Sequence, residues 1–174
     1  MRLFKLLIIA IIIGSIYFYA KQHSSTTTNW QHLSIAHGIS LQFPEQPVSK
    51  SFQKNIPSLG KVNLTTFQSA SDAHIFVVLI AGSLAKNIRN QNLSALGDSI
   101  HAINDTTGLT ITHKQAFMFH SLPGIEYKAT NQKGAILWCR TIKKDNQLIS
   151  IIYGSNSAKL DSQLRDTFFN SLKL

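Results

Sequence analysis

Seven histidines and a single cysteine are the residues of this 174-residue chain that could hold a metal or serve a nucleophile. His23, His32, His37, His74, His101, His113 and His120 are spread along it. No two stand at the i, i+4 spacing of a helical metal site, and no H-x-H dyad lies on a strand-like run. His32 and His37 bracket an expected turn. His113 and His120, seven apart on one run, would point to opposite faces of a regular strand. No metal site and no cofactor is expected. Cys139, alone, can form neither an intramolecular disulfide nor a cysteine zinc site. It sits in the apolar run Ala135-Ile136-Leu137-Trp138-Cys139, where a thiol behaves as a small buried hydrophobe. Serines are plentiful, but no G-x-S-x-G elbow positions one. The eight acids are dispersed singly, so a paired-carboxylate site would need assembly over long range. Gly108, Gly124 and Gly134 fall at element ends, where turn geometry accounts for them. No catalytic residue is assigned. Glu126, between Ile125 and Tyr127, is expected to face solvent and to pair with Arg140 across the sheet.

Charge is the next lead. Seventeen Lys and Arg stand against eight Asp and Glu, a formal +9. Arg2, Lys5 and Lys21 belong to the first segment, which leaves fourteen cations facing eight acids in the remainder. Such a balance draws a domain beside a bilayer toward anionic lipid headgroups or other polyanions. Colloidal solubility alone would also account for scattered cations, of which Lys143-Lys144 is the sole adjacent pair in the domain. No arginine-rich run points to nucleic acid, and none is expected as a partner. The basic surface to test is Lys128, Lys133, Arg140, Lys143 and Lys144.

Before these residues comes an apolar start. Leu6 to Ala20 reads LLIIAIIIGSIYFYA without a charge. As a helix it would rise about 22 Å, or about 27 Å with Leu3 and Phe4, against a hydrocarbon layer of ~30 Å. Lys5 can snorkel and Tyr17, Phe18 and Tyr19 can sit at the far interface. Residues 1–21 are therefore expected to be an uncleaved transmembrane anchor. The positive-inside rule places the N-terminus in the cytoplasm and the C-terminal domain outside it, in the periplasm if the source is bacterial. A cleaved signal peptide would need small residues before the cut, and Phe18 opposes cleavage after Ala20. Residues 22–29, QHSSTTTN, read as a polar tether, and residues 30–174 as one extracytoplasmic domain.

The domain reads as short strands between turn signals. Trp30 to Ile35 and Ile39 to Phe43 form a hairpin around Gly38. Pro44 and Pro47 end it, and a loop is expected to about Pro57. Lys61 to Ser69 alternates with Val62, Leu64 and Thr66 on one face. His74 to Leu84 is the most apolar run and is expected as a central strand buried on both faces. A helix is expected from Asn92 to about Asn104, with Leu93, Leu96, Ile100 and Ile103 as its stripe. Strands follow at Leu109 to Phe119, Gly124 to Thr130, Ala135 to Lys143 and Gln147 to Tyr153. A second helix, Ala158 to Leu172, carries Leu160, Leu164, Phe168 and Leu172. The expected class is α+β, an antiparallel sheet flanked by helices.

Four pieces of this layout, in this order, resemble the PsbP/Mog1-like domains. They are the opening hairpin running into proline (Gly38 to Pro47), Leu122-Pro123-Gly124-Ile125-Glu126-Tyr127 at a strand start, the hairpin with Arg140 on one strand and Leu148 to Tyr153 on the other, and the terminal Phe168-Phe169-Asn170-Ser171-Leu172-Lys173-Leu174. The resemblance implies an α/β/α sandwich over residues 30–174 and a binding or assembly module rather than an enzyme. Photosystem-type members support a metal cluster and Mog1-type members bind a small GTPase, but neither site maps onto residues here. The expected function is a membrane-anchored, non-catalytic binding or assembly module of the cell envelope. Its expected partner is a membrane protein or an anionic lipid surface. The alternatives are an envelope hydrolase or metal-dependent enzyme assembled only in three dimensions, and an accessory subunit of a transport or secretion complex.

Overall fold

The computed structural model describes residues 30–35, 38–56, 60–71, 73–82, 109–156 and 161–174. Alternating side chains build nearly all of it. β1 (Gln31–Ile35) and β2 (Ile39–Phe43) form a separate antiparallel hairpin. Gly38 supplies the positive φ (75°) that its turn requires. β3 (Val48–Ile56), β4 (Gly60–Ser71) and β5 (His74–Gly82) form one meander. β6 (Thr110–Phe119), β7 (Leu122–Thr130), β8 (Ile136–Lys144) and β9 (Gln147–Ser155) form a second. β9 pairs antiparallel with β5 and joins the two, so the sheet order is β3-β4-β5-β9-β8-β7-β6. α1 (Ser162–Asn170) follows.

Both faces of this seven-stranded sheet are apolar. On one lie Phe76, Val78 and Ile80 of β5, Ile149, Ile151 and Tyr153 of β9, and Ile142 of β8. Phe168 and Phe169 of α1 pack on them together with Ile39, Leu41 and Phe43 of the hairpin. On the other face Val77, Ile125, Tyr127, Cys139 and Ile152 are buried. The period-2 pattern thus puts a full apolar set on each side of β5, as its sequence requires. Val62, Leu64 and Thr66 are buried on one face of β4, also as expected.

Several expectations are corrected. The described residues form a mostly β molecule with one short helix, not an α+β sheet flanked by helices. Much of the cover expected from helices is supplied by the β1–β2 hairpin, which buries Ile39, Leu41 and Phe43 against the same face as α1. The expected loop after Pro47 is strand β3, because proline is tolerated just before a strand on the sheet edge. The second helix is confined to Ser162–Asn170, where the Asp161 carboxylate accepts the Leu164 N–H at 2.9 Å and caps it. The expected Asn92–Asn104 helix lies outside the described residues.

The expected single-pass location is corrected as well. No helix among the described residues is long and apolar enough to cross a membrane. α1, with nine residues, rises only about 14 Å against a hydrocarbon layer of ~30 Å. The run from Leu6 to Ala20 on which that location rested lies outside the described residues.

Candidate functional site

The cross-strand register settles where the chemistry-bearing residues meet. On the face that receives α1, one row runs Phe76, Tyr153, Trp138, Lys128, His113 across β5, β9, β8, β7 and β6. The next runs Val78, Ile151, Arg140, Glu126, Gln115, and the third Ile80, Ile149, Ile142, Gly124, Phe117. The apolar half of each row belongs to the core. The β6–β7–β8 half carries polar and aromatic groups.

Glu126 and Arg140 stand directly opposite each other and form an ion pair, with Arg140 Nε donating to Glu126 Oε2. The pairing agrees with the sequence expectation, but the exposure does not: Glu126 is 6% accessible. Its other oxygen accepts from Gln115 Nε2 at 3.2 Å. The Arg140 guanidinium lies 4.8 Å from the Phe169 ring centroid and 5.6 Å from that of Phe117, so two rings shield it. Phe117 itself lies over Gly124, where an added Cβ would come within 2.5 Å of the ring. Beside this pair stands Trp138. Arg165 of α1 covers its ring at 4.7 Å, and Lys128 Nζ lies 5.6 Å from the centroid. The Trp138 indole N–H is buried and has no hydrogen-bond partner among the described residues. Arg165 is held in turn by Asp166, at 2.7 Å. His113 tilts toward the same indole, 6.2 Å between rings.

The five basic residues read from the sequence do not share one face. Lys128 and Arg140 belong to the seam just described. Lys133 is exposed in the turn after β7, where Asn131 Oδ1 accepts the N–H groups of Lys133 and Ala135. Lys143 and Lys144 lie at the opposite end of β8, on opposite faces by strand alternation. Sequence reading missed Trp138, Phe117, Phe169, Gln115 and Arg165 as members of the site. Alternation alone would have put Trp138 beside Arg140 on β8; nothing in the chain order announces that residues of α1 close over both.

The chemistry this arrangement supports is charge recognition. Glu126 is buried and its two oxygens are engaged by Gln115 and Arg140, an arrangement that holds it as a counter-ion to the guanidinium. Burial pushes the Cys139 thiol up to about 11, with hydrogen bonds to Tyr127 and Thr141 opposing the shift, so little nucleophilic thiolate forms near neutrality. Among the described residues no three of His, Cys, Asp and Glu converge to hold a metal ion. Along the β6–β7 margin of the seam His113 and Lys128 carry basic groups and Gln115 a neutral one, and Lys114 stands on the opposite face of β6.

These seven antiparallel strands with their packed hairpin and terminal helix define a PsbP-like fold. The supporting structure is the solution structure of cyanobacterial PsbP (CyanoP) from Synechocystis sp. PCC 6803, with a TM-score of 0.60 over 88% of this chain and 99% of that one, at 12% identity. A protein of unknown function from Pseudomonas aeruginosa aligns over 74% of this chain and 84% of its own, with a TM-score of 0.37 and 8% identity. No protein-family model matches the chain, and no curated protein does.

Proposed function

We propose that this chain is a non-catalytic binding module that receives an acidic protein partner on the β6–β7–β8 third of its sheet. The observation that carries the reading is a local excess of cations along these three strands. Residues 109–144 contain Lys114, Lys128, Lys133, Arg140, Lys143 and Lys144 against a single acid, Glu126, and that acid is buried against Arg140. A field of one sign raises the association rate of an oppositely charged partner and weakens with salt. The ring-shielded Arg140 and the cation-flanked Trp138 give that field a rigid base. The burial of Glu126 against Arg140 and the high thiol value of Cys139 favour binding over catalysis.

Trp138 offers the test. With Trp30→Phe, Trp138 is the remaining tryptophan, because the chain has two. Titrating that variant with polyglutamate should change Trp138 emission saturably, with affinity falling at least tenfold between about 50 and about 500 mM salt. An unchanged signal at low salt would remove the reading. A response to phosphatidylserine vesicles without one to polyglutamate would replace the protein partner with a lipid surface.

A further inference from the structure

β6 is an edge strand: among the described residues it pairs with β7 alone, and the sheet order ends on it. It is ten residues long, and most of its side chains are exposed. An edge of that length with no second partner among the described residues presents a row of outward backbone N–H and C=O groups, the template for adding one more strand. The register breaks once, between Ile111 and His113, and then runs without interruption from His113↔Lys128 to Phe119↔Leu122. Seven residues of regular strand therefore remain to be read.

From this edge and its charges we infer that β6 accepts an extended acidic segment of a partner protein as an eighth strand. The inference rests on the binding-module reading and adds where and in what conformation the partner binds. Three side chains define what it must carry. Lys114, Ala116 and Met118 share one face of β6, and all are exposed, Met118 at 65%. A strand laid beside them places one side chain opposite each at two-residue intervals. The matching face is an acid across from Lys114 and small or apolar residues across from Ala116 and Met118. On the other face His113 and Gln115 extend the polar row behind them. No carboxylate stands on β6 to repel the acid.

Lys114 and the register break are also the devices by which an edge avoids indiscriminate pairing. Here the same charge selects. Antiparallel pairing of two copies about Ala116, the centre of residues 113–119, would set each Lys114 across from Met118 with no counter-charge, whereas an acidic strand supplies one. The opposite edge, β3, is built otherwise: Ser51 is hydrogen-bonded to Thr65 and Gln53 to Asn63 on one face, and Lys50 shares the other with Phe52.

The test uses the full chain, uniformly labelled with nitrogen-15, and three capped nine-residue peptides. One alternates valine with glutamate, one replaces the glutamates with lysine, and one carries the first composition interrupted by two prolines. The glutamate peptide should shift amides 113–119 saturably and slow their hydrogen exchange at least tenfold, while the other two leave them unchanged. Lys114→Glu should reverse the preference toward the lysine peptide, and Lys114→Gln should weaken both contrasts. The inference falls if the proline peptide binds as well as the first, if Lys114→Glu changes nothing, or if amides 113–119 are already protected in a concentration-dependent dimer. Polyglutamate acting on Trp138 with amides 113–119 silent toward all peptides would sink the edge alone. Silence in both would sink the binding-module reading with it.

Discussion

Tyr127, Cys139, Thr141 and Ser150 form a line of polar atoms inside the sheet face turned away from α1. The Cys139 thiol hydrogen-bonds Tyr127 and lies 3.7 Å from Thr141 Oγ1, which is 2.8 Å from Ser150 Oγ. Burial raises the Tyr127 phenol well above its ordinary value and the thiol from 9.0 to about 11. A folded-state value above the unfolded one means that the unfolded chain releases its proton first. Stability is therefore complete below about pH 9 and is lost as pH rises toward 11. The Cys139 share is on the order of 3 kcal/mol. Urea midpoints measured from pH 7 to pH 11 should fall over that window, and Cys139→Ala should flatten the fall while leaving the Tyr127 share. The burial of Cys139 was legible in its apolar run. The burial of Glu126 was not, because alternation aims a side chain at a face without saying what covers that face.

Among the elements, the β6–β7 hairpin holds the seam together. Its two-residue turn puts His120 and Ser121 at φ 46° and 71°, a primed turn in which residues other than glycine, asparagine and aspartate are strained by roughly 1 kcal/mol or more. Gly124 then lets Phe117 fold down across the strand pair and reach Arg140. Gly124→Ala would drive a methyl into that ring and to 3.1 Å from the Thr141 carbonyl oxygen. It should destabilise the protein by about 1–3 kcal/mol in urea unfolding, and Phe117→Ala in the same chain should return part of that loss. Strand positions were legible for β1, β2 and β4 through β9 because each lies between clear turn signals, β5 as a continuous apolar run and most of the others by alternation. β3 was hidden: VSKSFQKNI carries few apolar residues, and an edge strand owes its place to a neighbour's backbone rather than to its own burial.

The whole molecule closes through contacts far apart in sequence. β9 bridges the two meanders by pairing with β5, and the segment after α1 returns to the β1–β2 hairpin. Lys173 exchanges two backbone bonds with Ser40, at 3.0 and 2.8 Å, and Ser171 Oγ accepts the Gln42 N–H at 3.0 Å. The hairpin that carries Ile39, Leu41 and Phe43 is thus held by the segment following α1. Lys173→Pro removes one of these donors and should cost about 1–2 kcal/mol. Hydrogen exchange should quicken in β1 and β2 by at least fivefold while β5 and β9 keep their protection, because the hairpin is the smaller cooperative unit. Equal loss of protection in both sheets would show that the clasp supports the whole fold.

Sequence alone determined the periodicities: which runs other than β3 are strands, which face of β4 is apolar, that β5 is buried on both sides, and that the late strands carry an excess of cations. These are local quantities, readable from neighbours one and two residues apart. Tertiary structure decided the partners. It placed Phe169 and Arg165 of α1 over Arg140 and Trp138, sent Lys133 and Lys143 to opposite ends of β8, buried Glu126, and left β6 at the edge. Those outcomes depend on strand order and on what packs over each face, and both are set by long-range burial that no window along the chain contains.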